Sequence, residues 1–284
     1  MPSTVDELLA LLDLETLDPD LFRGRQPTTT MQRVFGGQVA GQALVAAART
    51  APEQMSVHSL HSYFLRPGDT AVPIIYDVDR VRDGRSFATR RVLGRQHGRP
   101  IYALTASFQV HEDGFDHQDA MPEVPSPEAS VDVGAALSAS GRSGEDWLRE
   151  WAVLELRHAG DSGPGGVLQG PEHPARARFW VRVHDRLPDD AVVHQAALTY
   201  ASDLTLLGSA LVPHGVLIGD PRLQAASLDH AVWLHRPFRA DEWLLYDQVS
   251  PSASGGRGLA LGRLFTQDRR LVATVAQEGL IRPR

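Results

Sequence analysis

The amino-acid sequence predicts an α+β fold of two similar tandem halves, in each of which an antiparallel sheet curls around one central helix. The same order of segments occurs twice: an uncharged run rich in small residues (VFGGQVAGQALVAAA, then SDLTLLGSALV) precedes several long strand-like runs. The Arg-Pro pair at Arg66 recurs at Arg236, 170 residues later, and Ala103 recurs at Ala273 with the same offset. This offset indicates a duplication at the scale of a domain, because solenoid periods are much shorter.

The first half begins with an acidic amphipathic segment in which Ser3 or Thr4 is a candidate helix N-cap. VFGGQVAGQALVAAA is apolar on every face, so we expect a buried helix whose small side chains let a sheet approach closely. SYFLRPGDTAVPIIYDVDRV, SFATRRVLGRQHG and RPIYALTASFQV follow as strands joined by tight turns. A curled antiparallel sheet around one buried helix is a hotdog domain, so the repeat predicts a double hotdog.

A connector separates the halves. It is acidic and Pro-rich at its start (HEDGFDHQDAMPEVPSPEASVDVG) and Gly- and Pro-rich at its end, and EDWLREWAVLELRHA between them can form a short helix or strand. SDLTLLGSALV then predicts the second central helix, followed by strands. We therefore expect a hotdog domain over residues 1–115, a connector over residues 116–170, and a second hotdog domain over residues 171–284 that carries the candidate catalytic residues.

Composition excludes several kinds of chemistry. The 284 residues contain no Cys, and all 28 basic side chains are Arg. Disulfides, Cys-ligated metals, thiol nucleophiles, Schiff-base lysines and P-loop lysines are therefore excluded. The net charge of −7 argues against a nucleic-acid groove. An anionic ligand must be held by Arg, by backbone N–H groups or by helix N-termini.

The sequence predicts a cytoplasmic protein and lacks the common catalytic and cofactor-binding motifs. The uncharged runs at residues 34–48 and 204–219 are shorter than the ~20 apolar residues of a membrane span. The acidic start does not resemble a secretory signal and the final IRPR lacks a peroxisomal signal, so we expect the cytoplasm. GRSGE and GGRGLALG each fail a nucleophile or dinucleotide motif by one position. The His and Asp side chains of residues 111–119 can in principle collect a metal, but acidic linkers are typically solvated, and no metal or cofactor is expected.

Polar residues of the second half are the candidates for chemistry. Asp203 precedes LTLLGSALV, where it can cap the helix, and there the helix dipole favours an ionised carboxylate that can serve as a general base. Ser227 opens the strand SLDHAVWLHRPF and by alternation can face the helix. Gln277 interrupts the apolar LVATVAQEGLI, and a buried amide needs hydrogen-bond partners. Asp229 and His230 suggest a Ser-His-Asp triad, but adjacent strand residues point to opposite faces.

The chain resembles the acyl-CoA thioesterase II family, the double-hotdog thioesterases of bacteria and peroxisomes. The resemblance extends over nearly the whole chain, and its strings are VFGGQVAGQAL, VHSLHSYFLRPGD, PIIYDVDRVRDGRSFATRRV, TASFQ, SLDHAVWLHRPF, DEWLLY and TVAQEGLIR. It implies cleavage of fatty acyl-CoA to free acid and CoA, with Asp203, Ser227 and Gln277 as the catalytic residues. Ser227 stands where many bacterial relatives have Thr, which keeps the hydroxyl, and His58 matches a family histidine near the site.

The resulting hypothesis is direct hydrolysis without an acyl-enzyme. Asp203 would accept a proton from a water molecule that Ser227 and Gln277 also hold. The backbone N–H groups of Gly36 and Gly37, which open the first-half helix, are the expected donors to the oxyanion. Alignment of the repeats places Asp203 opposite Gly36, Ser227 opposite Val57 and Gln277 opposite Ser107, which predicts one active cleft per chain.

Two alternatives remain open. A hydratase of the 2-enoyl-CoA type needs His five residues after the Asp, and Gly208 stands there. A non-catalytic acyl-CoA sensor would keep the fold and lose the three polar residues. We expect acyl-CoA as substrate, arginines between Arg80 and Arg99 as candidate phosphate ligands without a choice among them, and a homo-oligomer of two or four chains, because hotdog sheets expose edges and faces.

Overall fold

The computed structural model describes residues 1–139, 149–160 and 174–284. The GRSGE string and the Gly- and Pro-rich end of the connector lie outside the described residues. The helices are α1 (Val5–Leu12), α2 (Gly36–Thr50), α3 (Val133–Ala139) and α4 (Ala191–Ser202), and 3₁₀ turns span Leu206–Ala210 and Val212–His214. The strands are β1 (Glu15–Asp18), β2 (Leu21–Gly24), β3 (Met55–Phe64), β4 (Ile74–Asp83), β5 (Phe87–Gln96), β6 (Arg99–Val110), β7 (Val131–Asp132), β8 (Leu154–Gly160), β9 (Arg176–Val183), β10 (Leu223–Ser227), β11 (Asp229–Leu234), β12 (Leu244–Ser254), β13 (Arg257–Thr266) and β14 (Leu271–Pro283).

All of these strands belong to one antiparallel sheet with the order β1-β2-β4-β5-β6-β3-β11-β14-β13-β12-β9-β8-β7, and β10 pairs with β14 beside β11. The two halves meet where β3 pairs with β11, from Tyr63 opposite Asp229 to Ser59 opposite Trp233. The sheet curls around α2 and α4, as the predicted α+β double hotdog requires. The fold prediction is confirmed.

Helix α2 lies in the core, as its uniformly apolar sequence predicts. Every residue from Gly37 to Ala47 is buried. Glycine lets α2 touch α4: a Cβ at Gly37 would lie 2.2 Å from the Tyr200 carbonyl oxygen, and one at Gly41 would lie 3.1 Å from that of Ala196. Such close approach of two backbones is possible only without a side chain.

The second central helix begins earlier than the sequence pattern suggested. Asp190 caps α4 by accepting a hydrogen bond from Val192 N at 2.8 Å, and the Ala-rich AVVHQAALTYAS forms the helix. The predicted helix SDLTLLGSALV is wrong, because the chain beyond Ser202 forms 3₁₀ turns. Thr205 and Gly208 are poor α-helix formers, which favours this ending. The prediction for α1 is confirmed, with Thr4 as its N-cap.

The start of the connector packs against the outer face of the second half. Its acidic side chains are exposed, and they form ion pairs with arginines of the second half: Asp119 with Arg263 of β13 at 2.9 Å, Glu123 with Arg269 of the β13–β14 turn at 2.5 Å, and Asp116 with Arg236 after β11. Met121 and Val124 pack on a buried cluster that includes Trp180, Trp243 and Phe265. These carboxylates are solvated, as expected of an acidic linker, and in addition they pair with arginines of the second half. None of the helices in the described parts of the chain is long and apolar enough to cross a membrane.

Candidate active site

Asp203 follows the last residue of α4, and it is only 9% exposed. It therefore stands at the C-terminal end of its own helix, and the predicted N-cap role is wrong; Asp190 has that role instead. The dipole of α4 places partial negative charge at this end. Asp203 must be stabilised by groups from elsewhere in the fold.

The N-terminus of α2, from the other half, faces this carboxylate. A Cβ at Gly36 would lie 2.6 Å from Asp203 Oδ2, so only glycine permits the observed approach. Phe35 is the N-cap of α2 and supplies no side-chain hydrogen bond to the first turn. The positive end of the α2 dipole thus lies against Asp203, where it stabilises negative charge. The sequence predicted the right kind of interaction and the wrong helix.

Ser227 and Gln277 both bind the other carboxylate oxygen. The Ser227 hydroxyl donates to Asp203 Oδ1 at 3.2 Å, and Gln277 Nε2 donates to the same oxygen. Gln277 Nε2 also donates to Ser227 Oγ at 3.1 Å, which closes a three-membered network. Gln277 is fully buried, and its Oε1 has no hydrogen-bond partner among the described residues. The structure therefore brings together all three residues that the sequence selected.

Ser227 reaches this position because the strand pairing is irregular. It ends β10 and does not open the following strand, as the sequence pattern suggested. Ser227 lies opposite Gly279, whereas Ala231 lies opposite Ala276, so the β10–β11 side contains one more residue than β14. The additional residue is a β-bulge, which changes the direction of the side chains that precede it.

The strand pairing also corrects the alignment of the repeats, because the connection from Leu264 to Ala273 is one residue longer than that from Gly94 to Tyr102. Leu234 pairs with Ala273, while Phe64, 170 residues earlier, pairs with Tyr102, 171 residues before Ala273. Gln277 is therefore equivalent to Ala106, and its predicted equivalence to Ser107 is wrong. Ser227 keeps its predicted equivalence to Val57, and both first-half positions are buried and apolar.

The predicted equivalence of Asp203 and Gly36 also fails. It depended on aligning Gly41 with Gly208, but Gly41 lies on α2 and Gly208 lies in a 3₁₀ turn beyond α4. Asp203 and Gly36 are instead neighbours across the interface of the two halves.

His58 lies apart from the three-residue network. It is the unpaired residue of a bulge in β3, between Val57 and Ser59. Its Nε2 is 2.9 Å from Ser107 Oγ, and its ring packs edge-to-face on Phe87 at 6.0 Å. Burial lowers the pKa of His58. These contacts place it on the outer face of the first-half sheet, while Asp203 lies inside.

The Ser-His-Asp arrangement does not form, as strand alternation predicted. Asp229 Oδ1 accepts a hydrogen bond from Glu278 N at 2.6 Å. His230 is fully buried on the opposite face, and its Nε2 is 2.9 Å from Ser202 Oγ. Burial lowers the pKa of His230, which favours the neutral ring.

Two buried tyrosines near Asp203 were missed by the sequence analysis. Tyr246 donates its hydroxyl to Ser202 O at 2.9 Å. Burial raises the pKa of Tyr246 and of Tyr102 well above the usual value, and the Asp203 carboxylate raises both further. Tyr102 comes from the first half, so both halves surround the carboxylate. Inward alternation in RPIYALTASFQV and DEWLLY was the only available signal for these side chains.

The arginine cluster and the acidic connector are largely used within the chain. Arg90 is buried, and Arg80, Arg91 and Arg95 form ion pairs with Asp residues. Within the described residues, no group of three or more His, Asp or Glu side chains is arranged to hold a metal ion. The site contains a carboxylate that lies at the N-terminus of α2 and is oriented by a hydroxyl and an amide. This arrangement is suited to activating water.

Comparison with known families gives two matches. A family model described as "Acyl-CoA thioesterase" matches residues 155–280, and one described as "Acyl-CoA thioesterase N-terminal domain" matches residues 25–109. The matched segments include Asp203, Ser227 and Gln277 in the first case and Gly36 in the second. Together they cover most of both halves.

Individual relatives agree with these matches. The chain is 41% identical to acyl-CoA thioesterase 2 of Haemophilus influenzae, over 99% of both proteins. It is 42% identical to acyl-coenzyme A thioesterase 8 of Homo sapiens, over 96% of this chain and 88% of the human protein.

Solved structures are similar as well. An acyl-CoA thioesterase II from Mycobacterium marinum matches with a TM-score of 0.82 and 47% identity, over 98% of each chain. A protein with a hot dog fold from Alicyclobacillus acidocaldarius matches with a TM-score of 0.80 at 22% identity, which concerns the fold alone.

Proposed function

Because the chain belongs to the acyl-CoA thioesterase family, we propose that it hydrolyses fatty acyl-CoA to free fatty acid and CoA by direct attack of water. One observation carries the mechanism: Ser227 and Gln277 converge on Asp203 Oδ1, while Oδ2 faces the N-terminus of α2. One carboxylate oxygen is thereby held in place, and the other is directed towards a helix N-terminus that favours developing negative charge.

In this mechanism Asp203 is the general base. It accepts a proton from a water molecule, held also by Ser227 and Gln277, as the water oxygen bonds to the thioester carbon. The resulting oxyanion accepts hydrogen bonds from the N–H groups of Gly36 and Gly37. Collapse of the tetrahedral intermediate breaks the carbon–sulfur bond, and the proton on Asp203 passes to the departing CoA thiolate. No covalent acyl-enzyme is formed.

The first half supplies the helix N-terminus, and the second half supplies the three polar side chains. The first-half equivalents of Ser227 and Gln277 are Val57 and Ala106, which have no polar side-chain atoms. We therefore propose one active cleft in each chain.

The decisive test is release of thiol from a series of acyl-CoA substrates of increasing chain length. The protein contains no Cys, so a thiol reagent detects only the CoA that is released. Asp203→Asn should abolish turnover and leave the fold intact, because an amide oxygen can still accept the hydrogen bonds from Ser227 and Gln277. Asp190→Asn is the matched control at the other end of α4, since Asn is an equally good N-cap and activity should remain.

Full thiol release by Asp203→Asn would refute the assignment. Binding of acyl-CoA without any release by the wild type would favour a sensor, and hydration of an enoyl-CoA without release would favour a hydratase.

The proposal also covers CoA binding, the oligomeric state and the cellular location. With no Lys in the sequence, we propose that Arg supplies any side-chain positive charge that binds the CoA phosphates. The exposed outer face of β12 and β13 carries Val249, Leu259 and Leu261, which supports association of two or four chains. Light scattering on the purified protein tests the assembly. We also propose a cytoplasmic location, in keeping with a sequence without Cys, and cell fractionation tests it.

A further inference from the structure

The two polar residues that follow Ser227 take no direct part in the proposed chemistry, yet each is hydrogen-bonded to the neighbour of another site residue. Asp229 binds the backbone of Glu278, which follows Gln277. His230 binds the side chain of Ser202, which precedes Asp203. The segment from Ser227 to His230 therefore forms hydrogen bonds with the chain neighbours of both Asp203 and Gln277.

The contact of Asp229 lies at the bulge. Leu228 separates β10 from β11, and its N–H donates to Glu278 O at 2.9 Å. Glu278 N donates to Asp229 Oδ1 at 2.6 Å, so a carboxylate provides an acceptor at the irregular point of the ladder. Both backbone polar groups of Glu278 are thus bound where the register changes. This fixes the position of β14 along its axis, so that Gln277 reaches Ser227 and Asp203.

The contact of His230 lies at the end of α4. Ser202 Oγ donates to Thr199 O at 3.0 Å, and His230 Nε2 lies 2.9 Å from the same Ser202 oxygen. Ser202 O accepts the Tyr246 hydroxyl at 2.9 Å. The last residue of α4 is therefore bound to β11 and to β12, and Asp203 is the next residue along the chain. Ser202 and His230 are both buried, so water does not compete for these hydrogen bonds.

We propose that Asp229 and His230 are positioning residues for the hydrolysis: Asp229 holds the strand of Gln277 in register, and His230 holds the end of α4 that presents Asp203. Neither touches substrate, and neither exchanges a proton during turnover. The inference rests on the proposed function, because it assigns these residues a part in the same reaction.

Paired substitutions test the roles. Asp229→Asn keeps an oxygen that can accept from Glu278 N, whereas Asp229→Ala removes it. His230→Gln keeps a polar nitrogen near the place of Nε2, whereas His230→Leu removes it. We expect kcat to fall by about 10- to 100-fold in the Ala and Leu variants with KM nearly unchanged, since small misplacements act on the transition state. The Asn and Gln variants should retain kcat within about threefold, with the pH profile of kcat unchanged.

Ser202→Ala removes the same hydrogen bond from the other side and keeps the histidine. It should reproduce the loss of His230→Leu, and the double variant should be no worse than either single one. This measurement keeps the proposal testable if His230→Leu folds poorly. His194→Leu is the matched control, because His194 is a buried histidine of α4 whose Nδ1 accepts from Ala240 N at 3.0 Å. It should lower the melting temperature without changing kcat.

Several outcomes would overturn the proposal. Asp229→Asn as inactive as Asp229→Ala would mean that the charge is needed, and a shifted pH profile in His230→Gln would mean that the ring transfers a proton. Unchanged kcat in Asp229→Ala, His230→Leu and Ser202→Ala would show that the contacts are only structural. Absence of thiol release by the wild type would instead refute the proposed function, which keeps the two failures distinct.

Discussion

Gly36→Ala is the most direct probe of the contact between the two halves. The added Cβ would lie 2.6 Å from Asp203 Oδ2 and 2.8 Å from the Phe64 ring, whereas ordinary contacts begin near 3.4 Å. The carboxylate must therefore move by about 0.8 Å, the difference between these distances, or rotate away from α2. A displacement of this size at a reacting group lowers turnover by about 100-fold.

Stability should change much less than activity. Asp203 Oδ2 and the edge of the Phe64 ring are both far ends of side chains that can rotate, so both clashes can be relieved without moving the backbone. Replacing glycine by alanine also reduces the conformational entropy of the unfolded chain, which contributes about 0.4–1 kcal/mol of stability and offsets part of the strain. We therefore expect a large loss of kcat with a melting temperature close to that of the wild type.

The assay is thiol release at saturating acyl-CoA, with thermal unfolding measured in parallel. Gly208→Ala is the control, because a Cβ at Gly208 would meet no atom within 4 Å although the residue lies close to Asp203 in the chain. Its activity should match the wild type. Wild-type kcat in Gly36→Ala would refute the view that the approach of α2 to Asp203 is the reacting geometry.

Two further predictions concern stability. Arg90 is 1% exposed and donates to Thr50 O, at the end of α2, and to other acceptors nearby. Arg90→Lys should lower the free energy of unfolding by about 3 kcal/mol, because an ammonium group cannot replace the planar donors of the guanidinium. Urea titration measures this loss. An unchanged urea midpoint would contradict this. Burial opposes ionisation of Glu150, but hydrogen bonds from Thr30 and Thr29 outweigh it and lower its pKa to about 2. A depressed folded-state pKa adds stability that is present above the unfolded value of 4.5 and is lost as the pH falls towards 2. Glu150→Gln should therefore lose about 3 kcal/mol relative to the wild type at pH 6 but almost nothing near pH 2, and a difference independent of pH would refute this assignment.

Local patterns predicted much of the molecule correctly. The all-apolar helix from Gly36, the period-two strands and the repeat order led to the double hotdog, because burial and alternation are read directly from neighbouring residues. Asp203, Ser227 and Gln277 were selected partly by their contrast with apolar surroundings and partly by family resemblance. The second helix was misplaced, since a good N-cap residue at Asp203 resembled a helix start although Asp190 provided a better one.

The sequence by itself determined the chemistry that is available and the two-fold repeat: no thiol, no side-chain amine, and a carboxylate, a hydroxyl and an amide in the second half. Only the tertiary structure decided which groups meet. One additional residue in the connection from β13 to β14 shifted the register relative to the first half, so Gln277 stands at the place of Ala106. The packing of α2 against α4 brought Gly36 to Asp203. Register and helix contacts depend on hydrogen bonds and packing between residues far apart in the chain, and local preference does not contain that information.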